Sequence, residues 1–430
     1  METGVAPLKE YIMTKKSIRL ALISFTAIAV LACGKALPTN SEQACDEATM
    51  ETNVKNSSEA PAEEDIIVPA EQSKFYLEAT EDLNGKINPK TAGLVVLLQD
   101  SKYYAVGERI LSVSYSTSKD IVGTIGKQGV TNGGKNVTMN WASEDPVHRP
   151  AVGHAPEAAQ FGLVCLPGNY SGMFTVRTSR YTYTFTKNIS LSAGTNTNVT
   201  LDFANPDVQP TRKVGVLGDS ISTFDGTMCN DEYSPFYPGS DPNVGTNPDK
   251  AVDCKEKTYW WRVIYERMQH GTLDVNSAWS GTRVVHEIKN GRRGGKNLPA
   301  GFVDRVYDFV DPDIILIHGG RNDYNQKSPF GEYNWDYPIG QLDINTYCEA
   351  YIQTIKALQQ RYEGVQIIII VGDLIGTYET PTVNIAKHFG LPYVNFVGDT
   401  IEKCSGSHPT APAFDYMATK IYNTCKDYLP

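Results

Sequence analysis

The pattern of apolar residues changes at residues 205–210, and this change constrains the fold more than any other feature of the chain. The segment reads NPDVQP, and its two prolines interrupt a pattern of β-strands. Before it, alternating segments such as residues 173–178 and 181–187 predict strands with little helix between them, which is typical of an antiparallel sandwich. After it, short apolar runs alternate with helical segments. The sequence therefore predicts an all-β sandwich followed by an α/β fold with a doubly wound, mostly parallel sheet.

The length and composition of the chain are consistent with more than one folded region. The length of 430 residues suggests more than one folded domain, and 41% hydrophobic residues are enough to bury cores. The formal net charge of −10 argues against nucleic acid as a partner, because a phosphate backbone needs a basic face. The sequence gives no indication of oligomeric state. We predict four segments, which are a signal peptide (1–33), a disordered tether (34–65), a β-sandwich module (66–207) and an α/β domain (208–430).

The first segment carries a predicted export signal. Lys15, Lys16 and Arg19 precede an apolar run at residues 20–31, which is the order found in signal peptides. The run is short for a membrane span. The sequence VLACG, which ends this segment, resembles the lipobox of a bacterial lipoprotein. That resemblance implies cleavage before Cys33, acylation of its thiol and a membrane anchor, and an ordinary signal peptide is the alternative. We expect an outer-membrane lipoprotein on either the periplasmic or the surface face.

Export also permits disulfide bonds. Seven of the eight cysteines follow Cys33, so at least one of them cannot pair within the chain. Cys229 and Cys254 bracket a polar insertion and form the first predicted pair, and Cys404 and Cys425 form the second. No group of Cys and His residues has the spacing of a metal site, so we expect no metal.

Four separated segments carry the residues that suggest chemistry. An apolar run at 213–217 leads into Gly-Asp-Ser at 218–220, and residues 276–281 read NSAWSG. A second apolar run leads into GGRND at 319–323, and Ser-His-Pro at 407–409 precedes the last predicted helix. In this order the segments resemble the signature blocks of the SGNH (GDSL) hydrolases. The resemblance covers about half of the chain, from residue 213 to the end.

This resemblance implies a catalytic serine. A serine hydroxyl is a poor nucleophile until a base takes its proton, and the matching positions are Ser220 as nucleophile and His408 as base. The family's oxyanion hole maps to the backbone N–H groups of Ser220 and Gly281 and the side-chain amide of Asn322. We therefore expect a serine esterase of SGNH type that forms an acyl-enzyme and needs no cofactor.

One position departs from the family pattern. The family usually has an aspartate three residues before the histidine, and this chain has Ser405 there. A backbone carbonyl or the Ser405 hydroxyl could orient His408 in a Ser–His dyad, Asp399 or another acid could approach from elsewhere in the fold, or the enzyme could be impaired. We favour the dyad, because loss of an orienting acid lowers turnover and leaves activity.

Two insertions flank the predicted site, at residues 225–257 and 324–347. The second contains Trp335, and Trp279 lies beside the predicted oxyanion hole. Aromatic rings on loops can contact sugars, and they can equally pack the loops onto the domain. Arg321 replaces a residue that is often small and is a further candidate for substrate contact.

These features favour a carbohydrate substrate. The β-rich segment loosely resembles the sandwich modules of Bacteroidetes surface lipoproteins, a likeness that says nothing about chemistry. Together with export and the aromatic loops, it suggests the removal of O-acetyl or similar acyl groups from a carbohydrate, or the hydrolysis of another small ester. The alternatives are an O-acyltransferase or lipolytic esterase on the same fold, and a non-catalytic surface adhesin or binding protein.

Overall fold

The computed structural model describes residues 64–72, 88–102, 108–141, 147–148, 159–240, 247–294 and 296–430. The predicted signal peptide with Cys33 lies outside these residues. The predicted tether up to residue 63 also lies outside them. In the part of the chain that is described, no helix combines the length and the apolar character needed to cross a bilayer.

The N-terminal region consists of strands. In chain order they are β1 (Ile66–Val68), β2 (Glu71–Gln72), β3 (Ala92–Gln99), β4 (Arg109–Thr117), β5 (Val122–Gly126), β6 (Gly129–Gly134), β7 (Asn136–Asn140), β8 (Val147–His148), β9 (Ala159–Cys165), β10 (Gly168–Thr178), β11 (Thr182–Leu191) and β12 (Asn196–Asp202). One sheet has the order β11-β10-β4-β7-β2, with β8 on β4, and others have the orders β12-β3-β9 and β1-β5-β6. Alternate residues of β11 point into a shared apolar core, as Tyr183 and Phe185 do. The strand-rich region that the sequence predicted is therefore confirmed.

The C-terminal region alternates strands and helices. Its strands are β13 (Arg212–Gly218), β14 (Gly271–Ala278), β15 (Ile288–Asn290), β16 (Asn297–Pro299), β17 (Ile314–Gly319), β18 (Gln366–Val371), β19 (Tyr393–Asn395), β20 (Lys403–Ser405) and β21 (His408–Pro409). Its helices are α1 (Tyr259–Trp261, continued by a π-helical turn at Arg262–Arg267), α2 (Arg321–Gln326), α3 (Tyr347–Arg361), α4 (Glu379–His388) and α5 (Ala411–Cys425).

A five-stranded parallel sheet forms the centre of this region, in the order β14-β13-β17-β18-β19. Strands such as β18 (QIIIIV) are buried along their whole length, because helices cover both faces of the sheet. One face packs against α1 and α5, and the other packs against α3 and α4. The predicted parallel α/β sheet is confirmed, and its carboxyl edge is where ligands bind in such folds.

Polar contacts join the strand-rich region to the amino end of the parallel sheet, and both belong to one compact unit (Glu63–Pro430). Arg212, the first residue of β13, pairs with Glu108 at 2.8 Å and donates to the Tyr183 hydroxyl at 2.6 Å. Arg212 and Glu108 are each only 2% exposed. Tyr181 donates to Asp313 beside them at 2.5 Å. Since a buried charge needs a partner, these contacts fix the strand-rich region to the sheet.

Neither predicted disulfide is present in the described structure. The Cys229 thiol lies 3.6 Å from a carboxylate oxygen of Asp308, and Cys254 precedes a short 3₁₀ turn at Lys255–Lys257. The Cys404 thiol contacts the backbone oxygen of His408 at 3.4 Å, and Cys425, the last residue of α5, is buried in the core. The spacing of cysteines along a loop does not determine which of them meet in the fold, and the pairing was predicted from that spacing.

Candidate active site

Ser220 lies just beyond the carboxyl end of β13, an inner strand of the parallel sheet. The chain leaves the strand at Gly218 and enters a 3₁₀ turn at Ser220–Ser222. The Asp219 carboxylate caps this turn by accepting the Ile221 N–H at 3.0 Å. A side chain on Gly218 would lie 2.4 Å from the Cβ atom of Ser222, so only glycine allows the turn to fold this tightly.

His408 meets Ser220 across the fold. Its Nε2 atom lies 2.8 Å from the Ser220 Oγ atom, although the two residues are 188 positions apart. Its Nδ1 atom lies 3.1 Å from the backbone oxygen of Ser405. When Nδ1 carries the proton and donates to that carbonyl, Nε2 has a free lone pair that can accept the serine proton. The geometry is that of a Ser–His dyad oriented by the main chain.

Two aromatic residues hold the imidazole in place, and sequence analysis did not identify either one. The Phe236 ring stacks on the His408 ring with a centroid separation of 3.3 Å and an interplanar angle of 5°. Tyr237 packs edge-on against the same ring, and its hydroxyl donates to the backbone oxygen of Pro409 at 3.0 Å. Thr410 then caps α5 by accepting the Ala413 N–H at 3.3 Å. The loop that carries His408 is thus fixed on both sides.

Asp399 does not orient His408. Its carboxylate accepts hydrogen bonds from the Tyr416 hydroxyl at 2.9 Å and from the Lys420 ammonium at 2.6 Å. Both partners belong to α5, so the Asp399 carboxylate is held at the surface of that helix by these two hydrogen bonds. The alternative in which Asp399 supplies the third member of a triad is therefore not what the structure contains.

The three predicted oxyanion donors follow three neighbouring strands. Gly218 of β13 is paired in register with Ala278 of β14 and with His318 of β17. The segments that follow these parallel strands therefore meet at the carboxyl edge of the sheet. In the described structure, the backbone N–H groups of Ser220 and Gly281 donate to no protein acceptor. The Asn322 side-chain amide donates one N–H proton to the backbone oxygen of Thr282 at 2.8 Å. Its second N–H proton remains available to an oxyanion. Free, pre-positioned donors are what an oxyanion hole needs.

Comparison with known proteins identifies the C-terminal region. Residues 212–425 match the sequence model of the GDSL-like lipase/acylhydrolase family. The chain carries a GDSL-like hydrolase domain. No curated protein matches the chain.

Several solved structures are similar to the chain. A protein from Bacteroides uniformis ATCC 8492, named for its likeness to GDSL lipases, is 26% identical, with 50% of this chain and 95% of that chain covered and a TM-score of 0.42. A similarly named protein from Bacteroides ovatus ATCC 8483 is 24% identical, with coverages of 51% and 99% and a TM-score of 0.42. A family two carbohydrate esterase from Cellvibrio japonicus is 14% identical, with coverages of 78% and 91% and a TM-score of 0.32.

A buried arginine organises the strand ends of the GDSL-like domain. Arg305 is 1% exposed, and its guanidinium donates to the backbone oxygen of Gly218 at 3.0 Å and to the Thr282 hydroxyl at 3.0 Å. It also donates to the backbone oxygen of Ser277. It therefore joins the end of β13 to the loop that carries Gly281. An isolated arginine in a loop has no sequence signature, which is why sequence analysis missed it.

The predicted substrate contacts at two tryptophans are not what the GDSL-like domain contains. Trp279 is 0% exposed and stacks on Tyr233 at 4.5 Å, so it is a packing residue. Trp335 stacks on His388 at 3.8 Å. His388 ends α4 just before the chain reaches the amino end of β19, which places Trp335 away from the carboxyl edge of the sheet where Ser220 lies.

Arg321 does line a cavity in the GDSL-like domain, beside the dyad. Its guanidinium donates to the backbone oxygen of Leu374 at 2.7 Å. The cavity is small, about 10 Å³, and Asp219 and Ser407, the neighbours of the dyad residues, also border it. Burial, with Asp323 nearby, raises the pKa of Asp219 to about 7, although the Ile221 N–H opposes this. Within the described ranges, no group of three or more His, Cys, Asp or Glu side chains could hold a metal ion.

His318 lines the same cavity and is unsuited to be the base. Its side chain is 2% exposed, and burial lowers the pKa of His318 to about 3, with the charge of Lys403 adding to the effect. The imidazole is therefore neutral at physiological pH and lies behind the serine turn. His408, in contact with Ser220, is the histidine placed to accept its proton.

Proposed function

We propose that the protein is a serine esterase that removes O-acetyl or similar short acyl groups from a carbohydrate, through an acyl-enzyme on Ser220. The observation that carries the proposal is the 2.8 Å distance between the Ser220 hydroxyl oxygen and the His408 Nε2 atom. This distance is the one required for proton transfer from a nucleophile to its base. The match to the GDSL-like lipase/acylhydrolase family supports the reaction class.

Acylation begins when Ser220 attacks the ester carbonyl carbon and His408 Nε2 takes the hydroxyl proton. The negative charge that develops on the carbonyl oxygen is stabilised by the N–H groups of Ser220 and Gly281 and by the free proton of the Asn322 amide. His408 then gives its proton to the alcohol oxygen as the carbon–oxygen bond of the leaving group breaks. A water molecule attacks the acyl-enzyme in the same way and releases the carboxylic acid.

A carbonyl acceptor makes this dyad weaker than a triad. The Ser405 oxygen keeps the His408 tautomer and ring orientation, but a carbonyl carries only a partial negative charge. It therefore stabilises the imidazolium less than a carboxylate does. Phe236 stacking supplies part of the orientation that the missing acid would give. We expect a modest turnover number for this reason.

The surroundings of Ser220 favour a short acyl group. A fatty acyl chain needs a long apolar channel. The cavity beside the dyad instead has a volume of only about 10 Å³ and is bordered by Asp219, Arg321 and Asp373. Such a space has no room for a long hydrocarbon, and its polar lining also disfavours one.

An open groove beyond α2 supports a carbohydrate as the alcohol part of the ester. Tyr324 and Phe330 border this groove and are 41% and 42% exposed. Tyr324 lies two residues after Asn322 on the same helix. Exposed aromatic rings present the flat, partly polar surface on which sugar rings pack.

The decisive experiment measures hydrolysis of p-nitrophenyl acetate by the full chain and by Ser220→Ala and His408→Ala. We expect each substitution to lower kcat by about 10³-fold or more. Ser222→Ala is the matched control, since this hydroxyl lies in the same turn and bonds Tyr259 instead of His408. A wild-type protein no faster than Ser220→Ala would contradict the proposal and favour a binding protein.

Substrate preference is tested separately. We expect acetate release from acetylated polysaccharide, and a fall in kcat/KM as the p-nitrophenyl ester lengthens from acetate to decanoate. A preference for decanoate would point to a lipolytic enzyme. Transfer of the acetyl group to added sugar in place of water would point to an acyltransferase.

We further propose that the chain is an exported lipoprotein held to the outer membrane through Cys33. The support is the basic and apolar order of the first 33 residues and the VLACG sequence. Incorporation of labelled palmitate into the full chain, and its loss in Cys33→Ser, would agree with this. Equal labelling of both proteins would contradict it.

A further inference from the structure

Lys289 stands beside the predicted oxyanion hole without an acidic partner. It lies in the centre of β15 and is half-buried. No carboxylate in the described part of the chain forms an ion pair with it. Its Nζ atom donates instead to the backbone oxygen of Ser280 at 3.0 Å. Withdrawing an ammonium group from water costs free energy, and a neutral carbonyl compensates for this cost less than a carboxylate would.

The bonded carbonyl belongs to the peptide unit that carries the Gly281 N–H. A trans peptide is planar, and its C=O and N–H bonds point in opposite directions. The Ser280 oxygen points to Lys289, so the Gly281 N–H points away from Lys289. In the described structure this N–H has no protein acceptor, and no donor other than Lys289 bonds the Ser280 oxygen.

The same contact explains the glycine. Gly281 has a φ of +77°, and a Cβ atom added there would lie 2.8 Å from the Lys289 Nζ atom. A larger residue would therefore displace the ammonium as well as strain the backbone. The Ser280 N–H donates to the backbone oxygen of Ser234 at 2.9 Å, so the segment is also held on its other side.

We propose that Lys289 is a positioning residue for the oxyanion hole, whose ammonium orients and polarises the Ser280–Gly281 peptide. A cation bonded to the carbonyl oxygen draws electron density through the amide and makes its N–H a stronger donor. That stronger donor stabilises the charge that develops on the substrate oxygen. This inference rests on the proposed esterase function.

The charge of Lys289 is sensitive to its surroundings. Burial lowers the pKa of Lys289, Arg305 and Arg283 lower it as well, and Glu287 opposes them. These are the charged groups that face it. Its pKa is therefore below the ordinary value for lysine, and the ammonium loses its proton at a lower alkaline pH than an exposed lysine would. The polarising effect falls as that proton leaves.

The test compares Lys289→Met, Lys289→Arg and the control Lys296→Met, all in the full chain with p-nitrophenyl acetate. Lys296 is an exposed lysine on the other side of the same hairpin, so its replacement removes an equal charge. We expect Lys289→Met to lower kcat by about tenfold or more with little change in KM, since a lost oxyanion donor costs about 10²–10³-fold. Lys289→Arg should recover most of kcat, and Lys296→Met should match the wild type.

The pH profile gives a readout that a purely structural role would not change. The wild-type kcat should decline at alkaline pH as Lys289 loses its proton, and Lys289→Arg should lack that decline because arginine stays charged. An unchanged kcat and pH profile in Lys289→Met, with Ser220→Ala inactive, would overturn this inference and leave the esterase intact. Equal losses in the Met and Arg variants, with lowered Tm in both, would also overturn it. A wild type no faster than Ser220→Ala would overturn both proposals.

Discussion

The Nδ1 atom of His408 lies 3.1 Å from the backbone oxygen of Ser405, so a main-chain carbonyl orients this imidazole. Ser405 occupies the position where the family usually has an aspartate, yet its side chain is not the group that His408 contacts there. The orientation of the base thus depends on the path of the chain through residues 405–408, which a change of side chain at 405 need not disturb.

Replacing the side chain at position 405 tests this directly. Ser405→Ala should keep kcat within about twofold of the wild type, because the backbone oxygen remains. Ser405→Asp should raise kcat about tenfold by stabilising the imidazolium with a carboxylate. Steady-state kinetics on p-nitrophenyl acetate measure both. A large loss in Ser405→Ala would show that the hydroxyl is needed for orientation.

Removing the Asn322 amide should lower kcat. Asn322→Ala deletes one predicted oxyanion donor and its bond to Thr282, so we expect a loss of about 10²-fold, or about 3 kcal/mol of transition-state stabilisation. Gln326→Ala, at the exposed end of the same helix, is the matched control. If both variants lose activity equally, the effect comes from α2 and does not come from the amide.

Loss of the Phe236 ring should allow the His408 imidazole to move away from Ser220. Phe236→Ala removes the ring stacked on His408 at 3.3 Å, so the imidazole can leave the position in which it contacts Ser220. We expect kcat to fall about tenfold, with a smaller loss in Phe236→Leu, which keeps apolar bulk. Phosphonate labelling of Ser220 should slow in parallel. Labelling at the wild-type rate would show that the ring does not position His408.

Asp219 should make stability depend on pH. Burial is the main cause that raises the pKa of Asp219 to about 7, from 3.8, so the folded state disfavours its charged form. Its contribution to stability is complete below about pH 4 and is lost as pH rises through 7, by up to about 4 kcal/mol. Urea unfolding between pH 4 and 8 should show a smaller decline in Asp219→Asn. An identical decline in both proteins would assign the titration to another group.

The contact between Arg212 and Glu108 should be important for stability. Arg212→Met leaves a buried carboxylate without its partner, so we expect the free energy of unfolding to fall by about 3–5 kcal/mol. The double variant Arg212→Met, Glu108→Gln should recover part of this loss, because it removes the uncompensated charge. Denaturant unfolding measures all three proteins. A double variant no more stable than the single one would indicate that packing dominates.

The sequence predicted those parts of the molecule that local patterns encode. The buried run of β18 and the alternation of β11 are such patterns, and the structure confirms the parallel sheet and the strand-rich region. The family resemblance was confirmed for residues 212–425. The division of the chain at residues 207 and 208 stays a prediction.

Contacts between segments that are distant in the chain could not be predicted from the sequence. Phe236, Lys289 and Arg305 act through partners far along the chain or through backbone oxygens, and no spacing rule marks such a partner. The predicted cysteine pairs failed for the same reason. Trp279 and Trp335 were treated as candidate sugar contacts because of their residue type, whereas the fold uses both rings for packing.

Strand β13 has its contacts with the strand-rich region at one end and Ser220 at the other. Arg212 begins the strand and Ser220 lies two residues beyond its last residue, so the length of the seven-residue strand, about 23 Å, separates the buried ion pair from the Ser220 hydroxyl. The strand-rich region is therefore anchored to the parallel sheet at the end of β13 that is farthest from Ser220.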